Sequence, residues 1–370
     1  MAVEHYGTSV SGILPAIGTH DAMAEREIEA MFGDIPRSLF RTHDFRTGVA
    51  TLGEVPAEFV GSVSGGAVEY AIPIQVAKEV HEGGFDLILS IGQVVPHEVI
   101  GMANQTKNIF VGTGGVESIH RTHFLGAAYG MERIMGRADT PVRRVLSYGA
   151  DHFARHLPIV YVLTVVATDP ANGQLVVRGL YVGDDDATFQ KAAALSLEVN
   201  FTLVPKPLRK TVVYLDPSEF KSTWLGNKSI YRTRMAIADG GELIVLAPGV
   251  GKFGEDARID GLIRKYGYVG TREVLDLVKK NPDLSASLSA AAHLMHGSSD
   301  GRFSITYCPG GVTREEIERA NFRYEPLAAM MQRYDPARLH DGFQTMPDGE
   351  EIFYISNPAL GLWVHRDRMQ

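Results

Sequence analysis

This sequence predicts an α/β protein built of two α/β domains, and three observations carry that expectation. At 370 residues the chain exceeds one ordinary domain and suits two. Short apolar runs alternate with helix-length amphipathic stretches, the pattern of strand–loop–helix units, which places ligands at the carboxyl ends of strands. After a β-rich middle, a second alternating block begins at residue 211, beyond Pro205-Lys206-Pro207, where prolines stiffen and interrupt the chain. The expected division is 1–200 and 205–370.

The elements follow in order. Residues 12–17 form a compact apolar run that ends at Gly18-Thr19-His20. Residues 21–33 read as a helix: Thr19 or Asp21 caps it, acids occupy its first turns, and Gly33 ends it. Residues 85–91 (FDLILSI) read as a buried parallel strand running into Gly92 and a polar loop. Residues 109–111 restart an apolar run ahead of the glycine-rich turn Gly112-Thr113-Gly114-Gly115. Residues 159–168, 174–181 and 199–203 read as strands, with a hairpin-type turn at Asp169-Pro170-Ala171-Asn172-Gly173 and a helix over 186–198. The second block runs from a strand at 211–215, through a helix near 227–238, to a strand at 242–247. The chain holds no internal repeat and no low-complexity tract.

Composition removes several function classes. Hydrophobic residues make up 45% and charged residues 22%, enough apolar mass to build real cores and too much for a disordered chain. A net charge of -8 argues against general nucleic-acid binding, whose footprint is basic. Cys308 is the one cysteine, so neither a disulfide framework nor a thiolate-rich metal site fits. The longest apolar runs, such as 159–167, fall short of the roughly 20 residues that a bilayer crossing needs. No basic-then-apolar signal segment opens the chain, so the expectation is a soluble, cytoplasmic protein.

Familiar motifs are absent or weak. His81-Glu82 and His97-Glu98 lack the second histidine of a helical zinc-protease motif, and no nucleophile-elbow serine occurs. Gly249-Val250-Gly251-Lys252-Phe253-Gly254 has its lysine out of frame for a phosphate loop and reads better as a strand-to-helix turn. His152 and His156 stand four apart, a spacing that can chelate a metal on one helix face. Pro158 follows closely and no third ligand is evident, so a surface or packing pair is the better reading.

The stronger group is His20, His97, Lys107 and His123. His20 and His97 each follow an apolar run, where an α/β site is assembled. Lys107 comes ten residues after His97, and His123 sixteen after that. The intervening block, residues 97–108, is polar and holds one glycine, with no turn requirement to explain it.

These residues resemble the nickel-pincer-nucleotide-dependent lactate racemases and their 2-hydroxyacid racemase and epimerase relatives. The matching segments are Gly18-Thr19-His20, Val94-Val95-Pro96-His97, Lys107 and Thr122-His123, with Arg41-Thr42-His43-Asp44-Phe45-Arg46 and Leu52-Gly53 as a further likeness. The resemblance implies inversion of C2 of a 2-hydroxyacid by hydride transfer to the cofactor. Lys107 would carry that cofactor, a pyridinium-3-thioamide-5-thiocarboxylic acid mononucleotide holding nickel, and His123 would complete the nickel coordination. His20 and His97 would be the acid/base pair, and Lys228 the second-domain lysine facing cofactor or substrate. On this likeness 1–200 is the cofactor and catalytic domain, and 205–370 closes a cofactor and substrate cleft. Separate maturation proteins would supply the cofactor.

The chemistry of the residues agrees. Inverting a carbon that bears a hydroxyl requires service from both faces, hence two bases, and histidine suits because its pKa lies near operating pH. Imidazole is a sensible nickel ligand, and a lysine in a partly dry pocket can act as a nucleophile.

Three departures from the family pattern shape the expectation. Only 17 residues precede Gly18 and none matches the family's Asp-x-Thr-Arg-like motif, so the first domain is expected to lack its first segment. The family's Phe-Ser-Gly-Gly loop is here Met102-Ala103-Asn104-Gln105, and its Tyr-Gln pair before the second-domain lysine is Trp224-Leu225. Asn104, Gln105, Trp224 and Leu225 would therefore line a pocket of changed shape and polarity, suited to a 2-hydroxyacid larger or more polar than lactate, such as a sugar acid. Two alternatives stay open: a non-catalytic relative that binds nucleotide or hydroxyacid, and a metal-dependent hydrolase or lyase using His97, His123, His152 and His156.

Overall fold

A computed structural model describes residues 2–169, 174–359 and 361–368. The chain divides into two compact units. The first holds the chain up to Val95 together with Ile100–Leu125 and Arg137–Leu195; the second holds Pro96–Val99, Gly126–Gly136 and everything from Ser196 onward. The α/β class expected from the sequence is the class observed.

In the first unit, Ile88–Gln93 pairs in parallel with Ile159–Thr168, which pairs antiparallel with Leu175–Gly183. β-branched residues dominate these runs, as a pleated surface favours. The expected buried strand at 85–91 is shifted and only partly covered, for Ile91 is 55% exposed. Of the expected hairpin turn, Asp169 donates its N–H to the Gln174 carbonyl at 2.8 Å, and residues 170–173 lie outside the described residues. A two-stranded antiparallel ribbon joins Val49–Val55 to Ile72–Ala77. The helix Pro141–Phe153 packs on it, started by Thr140, whose hydroxyl accepts the Arg143 N–H at 3.1 Å, with Pro141 in the first turn.

Three local expectations in this unit are corrected. Residues 12–17 form no strand; their one ladder contact is an isolated bridge between Ile13 and Phe40. The helix that follows spans Glu25–Phe32, so neither Thr19 nor Asp21 caps it; instead Glu27 Oε2 accepts the Ala24 N–H at 2.7 Å. Gly33 ends it as expected, at φ 62. Residues 109–111 belong to a buried π-helical turn, Asn108–Gly112, because an apolar run of this length does not by itself select strand over helix.

The second unit is organised by a six-stranded sheet. Its order is Arg323–Tyr324, Ser304–Pro309, Ile237–Ala247, Leu208–Tyr214, Glu351–Ile355 and Gly342–Thr345, all parallel except the last hairpin pair. Val212, Ile244, Leu246, Cys308, Tyr334, Ile352 and Tyr354 form one core cluster. A second, methionine-rich cluster gathers Met131, Met135, Tyr231, Met235, Leu362 and Val364, beside the parallel pair Phe201–Val204 and Leu362–His365. Pro205-Lys206-Pro207 is a short turn between two strands of this unit. The helix expected near 227–238 is two short turns, Thr223–Gly226 and Lys228–Tyr231, after which the strand Ile237–Ala247 starts early. No helix among the described residues is long and apolar enough to cross a membrane.

Candidate active-site groups in the two units

His20, Asn104, Gln105, Lys107 and His123 lie in the first unit. The segment before Lys107 is held in an unusual shape. Asn104 and Gln105 have φ of 75 and 55, the left-handed region that costs an ordinary residue roughly 1–2 kcal/mol. Asparagine tolerates it because its short amide bonds locally, and Asn104 Oδ1 accepts the Gln105 N–H at 2.7 Å. Both side chains are buried.

Arg143 clamps this segment from the helix Pro141–Phe153. Its guanidinium donates to the carbonyls of Met102 at 2.6 Å and Asn104 at 3.1 Å, to Thr106 Oγ1 at 2.9 Å and to Gln105 Oε1 at 3.4 Å. It also lies 4.1 Å over the Phe189 ring. Burial pushes its pKa down to about 9, which still leaves it charged at neutral pH. Four acceptors on one fork therefore set the backbone from which Lys107 emerges.

Lys107 is half-buried and leads into the π-helical turn Asn108–Gly112. Turns of this kind are frequent at functional sites. Gly18 donates its N–H to the Gly112 carbonyl at 2.8 Å, and a Cβ on Gly112 would stand 2.8 Å from Ala16 Cβ, so only glycine allows this approach. The Gly18-Thr19-His20 turn is thereby seated on the far end of the π turn, with His20 exposed.

His123 lies on the helix Val116–Tyr129. Its Nδ1 is 2.7 Å from the Ile119 carbonyl, so Nδ1 donates and the lone pair sits on Nε2, the tautomer a metal requires. His43 shows the opposite arrangement: Nε2 donates to the Gly114 carbonyl at 2.9 Å, and Nδ1 is buried without a partner. Burial lowers the His43 pKa.

His97, Trp224, Leu225 and Lys228 lie in the second unit. The Val99 N–H donates to His97 Nδ1 at 3.1 Å, so the neutral ring carries its proton on Nε2. Glu98 Oε2 stands 3.9 Å from the same nitrogen. Burial opposes ionisation of Glu98, but electrostatic interaction with His97 and Arg232 outweighs it and holds the carboxyl well below its usual range.

Trp224 and Leu225 occupy the turn Thr223–Gly226, whose start is fixed by Ser222 Oγ accepting the Leu225 N–H at 3.4 Å. Trp224 stacks on His293 with centroids 4.2 Å apart. His293 Nε2 is 3.0 Å from the Tyr268 hydroxyl, which is 2.8 Å from Thr223 Oγ1. Burial drives His293 down to about 3 and His296 to about 4, so both are neutral at pH 7. Lys228 is half-buried and opens the next turn.

Other sequence expectations resolve locally. His152 lies on the helix and stacks on Tyr148 at 3.8 Å, whereas His156 is beyond the helix end, against His81. The pair thus does not share a helix face. No group of three or more His, Cys, Asp and Glu among the described residues is placed to hold a metal. The amides of Phe253 and Gly254 are spent on Asp260 Oδ1, at 2.7 and 3.1 Å, which fits the plain-turn reading of 249–254.

Sequence reasoning missed Arg143, Arg232, His293 and His296. Nothing local marks them, since arginine and histidine on a short helix are ordinarily solvated.

Residues 9–133, about a third of the chain, match the family model described as the lactate racemase N-terminal domain. No curated protein matches the chain significantly. Solved structures that share the fold include two of differing likeness to this chain. One is a protein from Thermotoga maritima, 24% identical with a TM-score of 0.78, covering 95% of this chain and 85% of that one. The other is the lactate racemase apoprotein from Thermoanaerobacterium thermosaccharolyticum, 17% identical with a TM-score of 0.67, covering 95% and 78%. At these identities the likeness is one of fold.

Proposed function

We propose that this chain, whose residues 9–133 match the model of the lactate racemase N-terminal domain, is a racemase or epimerase that inverts C2 of a 2-hydroxyacid with a nickel-pincer nucleotide as cofactor. The observation that carries the reading is the family match over the segment that holds His20, Lys107 and His123. Lys107 is the cofactor's tether, His123 its nickel ligand, His20 and His97 the acid/base pair, and Lys228 a further contact to cofactor or substrate. Asn104, Gln105, Trp224 and Leu225 line the substrate pocket in this reading, and the substrate is larger or more polar than lactate, a sugar acid being the leading case.

The residues present suit the cofactor. His123 keeps its lone pair on Nε2, and a nickel already gripped by a nucleotide needs one such protein ligand. What the nucleotide supplies when bound is an electrophilic metal–carbon centre able to take the C2 hydrogen with its electron pair.

The chain's own residues handle the hydroxyl proton. In the neutral ring of His97 the Nε2–H is a donor and Nδ1 is occupied by the Val99 amide. For Nε2 to accept a proton, the neutral ring must first carry its own proton on Nδ1, and the Glu98 carboxylate, 3.9 Å from Nδ1, stabilises that N–H. His20, exposed on its turn, is the partner for the opposite face of the carbon.

Producing the chain alongside cofactor-making maturation proteins tests the reading. Intact mass and metal analysis are expected to give an adduct mapping to Lys107 with about one nickel per chain, lost in Lys107→Ala and His123→Ala. Chiral chromatography then compares lactate with aldonates. Zinc without a nucleotide would favour the hydrolase or lyase alternative, and a bound nucleotide without turnover the non-catalytic relative.

A further inference from the structure

The three-stranded sheet of the first unit has one face covered and one bare. On the covered face Tyr161, Leu163 and Val165 are buried, and the helix Asp186–Asn200 lies close, for a Cβ on Gly179 would stand 2.5 Å from Leu195 Cδ2. On the other face Ile91, Leu175, Val177, Leu180 and Val182 are 55–64% exposed, and no element among the described residues covers them. The register makes them one surface. Ile91, Val162 and Val182 stand in a row across the three strands, and Leu180, Val177 and Leu175 stand opposite Thr164, Val166 and Thr168, alternate positions of the central strand. The register shift at Arg178 is what keeps residues 175 and 177 on the same side as 180 and 182.

Charge and area together say what this face can take. Arg178 is the one charged residue in the three strands, so the face offers no charge pattern that would select a foreign partner. A two-fold axis, by contrast, lays an almost uncharged surface on itself, although the chain as a whole carries a net charge of -8. The five exposed side chains present on the order of 500 Å² of apolar surface, near the upper end of what a soluble monomer leaves bare. Two copies face to face would bury on the order of 1,000 Å² from these side chains alone, about what a specific interface must clear. Val160, Val162 and Val166, half-buried on the same face, add to that area.

We propose that this face docks a second copy of the chain, forming a homodimer in which the two bare sheet faces pack across a two-fold axis as the layers of a β-sandwich do. The proposal concerns the first unit alone and does not rest on the racemase reading.

The test measures the mass of the full chain in solution, by light scattering after size exclusion and by sedimentation, over a series of micromolar concentrations. Twice the chain mass is expected. Leu180→Lys combined with Val182→Lys should return the chain mass, the dissociation constant rising about a hundredfold or more, because each ammonium would be pressed against apolar surface. Leu203→Lys changes an equally exposed apolar residue in the second unit and should leave the dimer intact. Amide exchange over Leu175–Gly183 should slow with rising concentration in the parent chain and not in the double variant. Should the lysine pair prevent folding, Leu180→Thr with Val182→Thr keeps β propensity and should still weaken the dimer about tenfold or more. A chain of single mass at every concentration, a dimer that survives the substitutions at 180 and 182, or one that Leu203→Lys dissolves equally well would each overturn the proposal.

Discussion

Arg143 in the first unit and Arg232 in the second are both buried guanidiniums, and they are used in opposite ways. Arg143 spends its donors on four acceptors within one loop and lies over an aromatic ring. Arg232 leaves Nε and Nη1 unmet in a cluster with unpaired Asn227 and His296 atoms. The first shapes a backbone through hydrogen bonds, and the second acts on the buried Glu98 carboxylate through its charge. Burial alone does not separate these roles; the accounting of donors does.

The largest expected effect breaks the clamp. Arg143→Met would strand the Met102 and Asn104 carbonyls and Thr106 Oγ1, and should cost about 3–5 kcal/mol in urea unfolding. Arg143→Met as stable as the parent chain would erase the distinction between the two arginines.

Acid sharpens it next. His296 titrates near 4 in the fold against about 6.5 when unfolded, so the unfolded chain takes up the proton first. Its contribution is therefore complete above about pH 6.5 and is lost as pH falls towards 4, amounting to ~3 kcal/mol. His293 adds to the loss down to about 3. Amide exchange at a pH of about 5 should show the helix Leu288–His296 losing protection before the helix Pro141–Phe153, and His296→Gln should flatten that dependence.

A smaller effect concerns the left-handed pair. Asn104→Ala should be less stable than Asn104→Gly by about 1–2 kcal/mol, since glycine takes positive φ without strain. Equal stabilities of the two variants would mean that this φ is not maintained in solution. The smallest expected change is Trp224→Leu, which removes the stack on His293 and should cost about 0.5–1.5 kcal/mol by thermal unfolding.

How far the sequence could be read varies by region. The strand Ile159–Thr168 and the helix Asp186–Asn200 follow the expected bounds closely, because each is a long run with one clear periodicity. Residues 12–17, 109–111 and 227–238 departed, because short apolar runs satisfy strand and helix templates equally and neighbours decide between them. The substitution of Asn104-Gln105 for a glycine pair was legible as a departure, and the positive φ at both positions gives it a backbone meaning beyond added polarity.

The candidate site was legible in residue type and spacing only. Arg143 and Arg144 are adjacent in sequence, yet one is buried against a loop and the other pairs with Asp139 at the surface. Arg232 and Arg234 are two apart, yet Arg234 meets Glu132, Asp300 and the Ser298 carbonyl. By itself the sequence determined the α/β class, the longest elements and the family likeness over residues 9–133, because these follow from local periodicity and fixed spacing. Tertiary structure alone decided which arginine is satisfied and which nitrogen of His97 or His123 holds the proton, because each depends on a donor or acceptor that only the folded backbone brings within reach.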